Sequence, residues 1–160
     1  MEFTHFNDEG RARMVDVSAK DQTLRTATAT ATVFLNADTY DMVKLGKMKK
    51  GDVLAVAQVG GIMAAKRTFE SIPMCHPIAL TGADISFETD DEKHTIKIFA
   101  TTRCKGETGV EMEALTAAST AALTVYDMCK AVQRDIVIGD IMLLKKTGGK
   151  SGEFVRQPVD

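Results

Sequence analysis

The chain has 160 residues, 44% of them hydrophobic and 26% charged, which bounds it to one ordinary globular domain and excludes a disordered polymer. A formal net charge of −2 excludes a general attraction for nucleic acid or a membrane surface, so an anionic ligand must be held by a local cluster of basic groups. Cys75, Cys104 and Cys129 show no zinc-type pairing, and the first residues lack the apolar segment of a signal peptide, so free thiols in a reducing cytoplasm are expected.

Residues 1–13 are polar and aperiodic and predict a mobile arm; a single domain is expected over 14–154, with a tail at 155–160. Leu24 to Leu35 alternates Thr with Ala, a period-two strand whose apolar face is Ala27, Ala29, Ala31, Val33 and Leu35. A turn at Asn36 to Asp38 leads into a short helix around Thr39 to Leu45, then a basic stretch ending at Gly51. Asp52 is the expected N-cap of a long helix over Val53 to Ser71, with Val53, Val56, Ala57, Gly60 and Ala64 along one side. Gly60-Gly61 in its middle costs ~1 kcal/mol per Gly against Ala, for which a close backbone contact and a mild kink are both explanations. The helix must stop near Ile72, because Pro73 disfavours helical geometry just before it.

Two alternating segments, Ala83 to Thr89 and Thr95 to Thr102, flank the charged link Asp90 to Lys93 and read as a hairpin. Gly109 to Lys130 follows, with no charge between Ala114 and Tyr126 and with Ala114, Ala117, Ala118, Ala121 and Ala122 at helical spacing. The uncharged run is shorter than the ~20 apolar residues a bilayer requires, so a helix buried in the domain is expected. Ile136 to Leu144 supplies a last strand before a Lys/Gly-rich tail. The expected fold class is α+β: a ferredoxin-like βαββαβ four-stranded antiparallel sheet with helices packed on one face, plus a short extra helix.

Chemistry gathers at both ends of the central helix. His76, in Ile72 to Pro77 (IPMCHP), has a backbone stiffened by two prolines and is the candidate imidazole for acid–base work; a hydrogen-bonded structural histidine is the alternative. Cys75 beside it lacks metal-type partners and reads as a structural thiol. Glu111 and Glu113, two apart, would point the same way in an extended lead-in, or simply complement the helix macrodipole. Asp127 and Lys130 are neighbours on the helix, either as a surface ion pair or, among apolar neighbours, as a pair in which desolvation lowers the Lys130 pKa against the pull of Asp127. Glu113 and Asp127 are ~21 Å apart along one helix, so the expectation is a site shared between neighbouring chains of an oligomer. Lys50, Lys66, Arg67, Arg103, Lys146 and Lys150 are candidate contacts for a phosphorylated ligand, each with a solvated surface charge as the alternative. GGKSG (148–152) fails as a phosphate loop, since Leu144 stands where the first glycine belongs and only eight residues follow Gly152.

Several motifs carry a more specific signal: MVDVSAK (14–20), KGD (50–52), AAKRT (64–68), IPMCHP (72–77), TGVEMEALTAAS (108–119), YDMCKAVQ (126–133) and GGKSG. Together they closely resemble the cyclic pyranopterin monophosphate synthases, the accessory protein C family of molybdenum cofactor biosynthesis, from about Met14 to Phe154. The resemblance implies a ferredoxin-like subunit in a homohexamer, a trimer of dimers with active sites at subunit interfaces. It also implies a lyase that converts (8S)-3′,8-cyclo-7,8-dihydroguanosine 5′-triphosphate, derived from GTP, to the cyclic monophosphate pterin with release of diphosphate. By position it makes Asp127, Lys130 and Lys50 catalytic, with His76 as a further acid–base group. Met74, Cys75, His76, Met112 and Glu113 become substrate-contacting, with Arg25, Lys66, Arg103, Glu111, Lys146 and Lys150 at further site-lining or phosphate-facing positions. No redox cofactor and no metal site are expected; Mg²⁺ assistance on the triphosphate is compatible with that reading. The alternatives are another purine-nucleotide lyase or hydrolase on the same scaffold and an oligomeric purine-nucleotide-binding regulator without catalysis.

Overall fold

The computed structural model describes residues 7, 9–150 and 152–157, so residues 1–6 and 8 of the expected arm and 158–160 of the expected tail lie outside the described residues. The order is β1 (Thr23–Phe34), α1 (Ala37–Lys44), α2 (Val53–Lys66), α3 (Thr68–Ser71), β2 (Leu80–Asp90), β3 (Thr95–Gly106), α4 (Glu111–Cys129), β4 (Val137–Thr147) and β5 (Phe154–Val155). The sheet runs β2-β3-β1-β4-β5 and every pairing is antiparallel. Its first four strands have the expected ferredoxin-like arrangement; two residues of β5 extend the edge to five strands.

The Thr/Ala alternation does in β1 what period two requires. Ala27, Ala29, Ala31 and Val33 are all buried, opposite Thr102, Ala100, Ile98 and Ile96 of β3. Onto this strip of small side chains lies α4, whose Ala114, Ala117, Ala118, Ala121, Ala122 and Val125 are fully buried. Methyl against methyl brings helix and sheet close together. The Thr face of β1 is also partly sealed, with Thr30 donating from its hydroxyl to the Ile98 carbonyl at 2.8 Å.

Asn36 and Asp52 cap α1 and α2, accepting from the amides of Thr39 and Ala55. The expected single helix to Ser71 divides at Arg67 (φ −118°, ψ 17°). The Thr68 hydroxyl donates back to the carbonyls of Ala64 and Ala65, competing for the acceptors that a continuing helix would use. The buried stripe of α2 is Val53, Ala57, Gly61 and Ala65, rotated from the expected one, and Val56 is exposed.

The glycine pair lies inside the continuous α2. A Cβ on Gly60 would come within 2.8 Å of Thr124 Oγ1, and one on Gly61 within 3.0 Å of the Ala117 carbonyl oxygen. Close contact with α4 is the reason for both glycines. It also carries the segment before α2, with Lys50, to the C-terminal end of α4.

Candidate active site

Each end of α4 carries one group of candidate residues. At the N-terminal end, the chain leaving α3 is turned by the Cys75 amide bonding to the Ile72 carbonyl, between Pro73 and Pro77. Met74, Cys75 and His76 there line a cavity of about 400 Å³ together with Glu111, Met112 and Glu113. His76 Nε2 lies 2.7 Å from the Val15 carbonyl oxygen. A second cavity of about 560 Å³ is lined by Arg25, Lys146 and Lys150. The two share Lys20, Thr108, Gly109 and Glu111, so they adjoin.

The lead-in to α4 is not extended at the two glutamates: both lie in the first helical turn, so their side chains diverge. Glu111 faces Lys146, with Nζ 3.8 Å from Oε1. Glu113 turns inward and is only 3% exposed, and its Oε2 has no hydrogen-bond partner among the described residues. Burial pushes the Glu113 carboxyl up; its own amide opposes this, the Glu111 charge adds to it, and His76 opposes it. Val110 offers the helix no side-chain cap.

The second cavity, where Lys20, Arg25, Lys146 and Lys150 stand beside Asp21, Glu107 and Glu111, depends on close backbone approach. Arg25 of β1 is held by the end of the neighbouring β3, donating from Nε to the Gly106 carbonyl at 3.2 Å and from Nη2 to that of Glu107 just beyond it at 3.0 Å. Gly148 and Gly149 adopt left-handed geometry (φ 92° and 77°), and a Cβ on either would overlap Leu24 or Arg25. These two glycines thus bring the chain close against Arg25, and Lys150 beside them lines the same cavity.

At the other end of α4, Lys130 Nζ lies 2.6 Å from Asp127 Oδ1 and Lys50 Nζ 3.3 Å from Oδ2. Lys50 also donates to the Asp127 carbonyl at 2.8 Å. The hydrogen bond from Lys130, then that from Lys50, holds the Asp127 carboxyl below the usual carboxylate range. A lowered Lys130 pKa is not what the structure shows. The hydrogen bond to Asp127 raises it, because this end of the helix is open to solvent and desolvation is the weaker effect.

Met74, Cys75, His76, Glu111, Met112 and Glu113 are therefore brought together, with Arg25, Lys146 and Lys150 adjoining. Lys50, Asp127 and Lys130 form a separate group ~21 Å along the helix. Lys66 and Arg103 line neither cavity: Lys66 is exposed at the end of α2, and Arg103 projects from the sheet face opposite the helices. Val15, Val17 and Lys20 are pocket residues that the sequence reading left out, although the MVDVSAK motif contains all three. The buried thiols of Cys104 and Cys129 are pushed up by burial, Cys129 to about 11, as expected of structural cysteines.

Comparison with known proteins is consistent from one end of the chain to the other. A family model described as the MoaC family matches residues 14–149. The chain is 60% identical over 159 residues to the cyclic pyranopterin monophosphate synthase of Peptoclostridium acidaminophilum, covering 99% of this chain and 100% of the relative. It is 60% identical over 154 residues to the synthase of that name from Clostridium acetobutylicum, covering 96% of each. It is 56% identical over 157 residues to that of Bacillus thuringiensis, covering 97% of this chain and 98% of the relative.

Proposed function

This chain belongs to the MoaC family, and from that membership we propose that it is a lyase of molybdenum cofactor biosynthesis. Its reaction converts 3′,8-cyclo-7,8-dihydroguanosine 5′-triphosphate to cyclic pyranopterin monophosphate and releases diphosphate. The observation that carries this is the near-complete, 60% identical match to proteins of that name. The regulator alternative draws no support from these relatives.

The residue roles follow from chemistry. Opening the purine five-membered ring and rearranging the skeleton moves protons, for which His76, Lys50 and Lys130 are the candidates. Asp127 orients both lysines and keeps Lys130 a cation, suited to donating a proton or stabilising a developing anion. A hydroxyl then attacks the α-phosphorus, and diphosphate leaves toward Arg25, Lys146 and Lys150. Met74, Cys75, Met112 and Glu113 hold the base-derived ring system in the first cavity. Lys66 and Arg103 enter from a neighbouring chain. No redox cofactor takes part, since the reaction is redox-neutral.

One chain carries only half of this constellation within reach of one substrate, and the proposal includes a homo-oligomer, a trimer of dimers in the cytoplasm. The outer face of α4 bears Met112 at one end, Leu123 in the middle, and Asp127 and Lys130 at the other. Val56, Val59 and Met63 of α2 extend this face as exposed apolar side chains, the kind of surface a partner covers. A two-fold axis near Thr120, midway along α4, sets the pocket of one protomer against the lysine pair of its partner.

Two measurements test the proposal. Incubation with the cyclised triphosphate is expected to yield one diphosphate per pterin, read by fluorescence after oxidation; release of diphosphate without pterin refutes the assigned reaction. His76→Ala and Lys130→Ala chains, each inactive alone, are expected to regain about a quarter of wild-type turnover when co-assembled, since half of the pairs are mixed and each has one intact site. No recovery in proven mixed oligomers refutes the shared site.

A further inference from the structure

The segment before β1 lies against the pocket without regular structure from Arg13 to Gln22. Val15 and Val17 are half-buried and line the first cavity, while Met14, Asp16 and Ser18 between and beside them are exposed. That alternation describes an extended strap with two apolar side chains turned inward. Its far end is folded by the Ser18 amide and hydroxyl donating to Asp16 Oδ1, at 2.9 and 2.6 Å, and by the Lys20 amide bonding to the Val17 carbonyl. Among the described residues, the strap is bonded to the pocket's candidate acid–base groups through the Val15 carbonyl and His76 Nε2.

A carbonyl oxygen only accepts, so His76 Nε2 is the donor and carries a proton in both the neutral and the cationic ring. All proton exchange at this imidazole is then left to Nδ1. We propose that the strap is a positioning element for the reaction: the Val15 carbonyl locks the His76 ring so that Nδ1 alone takes up and returns the substrate's proton. The inference rests on the acid–base role given to His76 above. In the neutral ring Nδ1 offers its lone pair and accepts the proton, and in the cation Nδ1–H returns it. Nε2–H stays on Val15 throughout, so the ring need not turn between the two steps. A carboxylate that fixes a catalytic imidazole by its other nitrogen acts by the same logic. Here a main-chain oxygen does it, and the valine side chains seated in the cavity hold that oxygen in place.

The test uses the full-length protein with ¹⁵N-labelled histidine, first without substrate. The His76 Nε2 proton is expected to be visible and slow to exchange with solvent, and Nδ1 to show the shift of an unprotonated nitrogen at high pH. Val15→Gly keeps the carbonyl but removes the side chain that seats it, and Val17→Ala loosens the same strap one step further along. Both are expected to free the Nε2 proton to exchange and to lower kcat roughly 10- to 100-fold, the size of a misoriented reacting group, with KM within about twofold. A proton found on Nδ1 in the neutral ring, or wild-type kcat in Val15→Gly, overturns the inference. Loss of activity through unfolding or disassembly is separated by sedimentation and by the unchanged signals of His94. If the wild-type protein does not turn over the cyclised triphosphate, the proposed function fails, while the imidazole spectrum still decides whether the strap holds the ring.

Discussion

Replacing Gly60 by Ala tests how α2 is seated on α4. In an open helix the change stabilises by ~1 kcal/mol, because Ala restricts the unfolded chain and favours helix. Here the added methyl meets Thr124 Oγ1 at 2.8 Å. That hydroxyl is not free to swing away, since it donates to the Thr120 carbonyl at 2.7 Å. Overpacking of this kind costs ~1–3 kcal/mol, so Gly60→Ala alone is expected to range from neutral to ~2 kcal/mol destabilising. In a Thr124→Ala background the obstacle is gone, and the same substitution is expected to stabilise by ~1 kcal/mol. The double-mutant cycle thus carries a coupling of ~1–3 kcal/mol, measured by urea unfolding at one fixed protein concentration. Stabilisation by the same amount in both backgrounds would refute the contact. Because the helix pair also delivers Lys50 to the Asp127 carbonyl, the single variant is expected to lose turnover as well as stability.

Asp127→Asn removes the charge that both lysines address and is expected to lower kcat ~10²–10⁴-fold in the diphosphate-release assay, with the fold intact by circular dichroism. Glu113 has its carboxyl raised above the usual 4.5, so the stability it contributes is present below that pH and is lost as pH rises through the folded-state value. Glu113→Gln should therefore gain on the wild type in urea unfolding between pH 4 and pH 8; the reverse trend counts against a buried, unpaired carboxylate. Asp127 has the opposite sign: its contribution is present above the ordinary 3.8 and is lost as pH falls through the lowered value, so Asp127→Asn should flatten the acid limb of the stability profile. Gly149→Ala meets both a left-handed backbone and Arg25, and is expected to weaken inorganic triphosphate binding by calorimetry as Arg25 is displaced.

What the sequence determined by itself is whatever depends on near neighbours. Alternating Thr and Ala define β1 and its buried face, because side chains reverse sides at every strand residue. Asp52 marks a helix start, because its side chain bonds the amide three residues on, and the turn at Asn36 to Asp38 announces another. The long uncharged run of Ala, Leu and Thr marks α4, and the motifs spread over the chain point to the family. The spacing of Glu113 and Asp127 on one helix already set the two chemical groups apart, since the rise per residue is invariant.

The tertiary structure decided what depends on residues far apart in the chain. The long helix was expected to run to Ser71, but the Thr68 hydroxyl, turned back onto Ala64 and Ala65, ends it at Lys66. The buried stripe of α2 is set by where α4 lies, which composition does not encode. Lys130 was expected to sit in a partly dry setting among Val125, Tyr126, Met128 and Cys129, yet Val125, Met128 and Cys129 turn into the core and Tyr126 is half-buried, while Lys130 points out to Asp127. The strap was legible as a motif but not as a wall of the pocket, because its link to His76 spans 61 residues. Periodicity and capping act within a few residues and can be read along the chain; helix phase, solvent exposure and hydrogen bonds between distant segments exist only once the sheet and helices have packed.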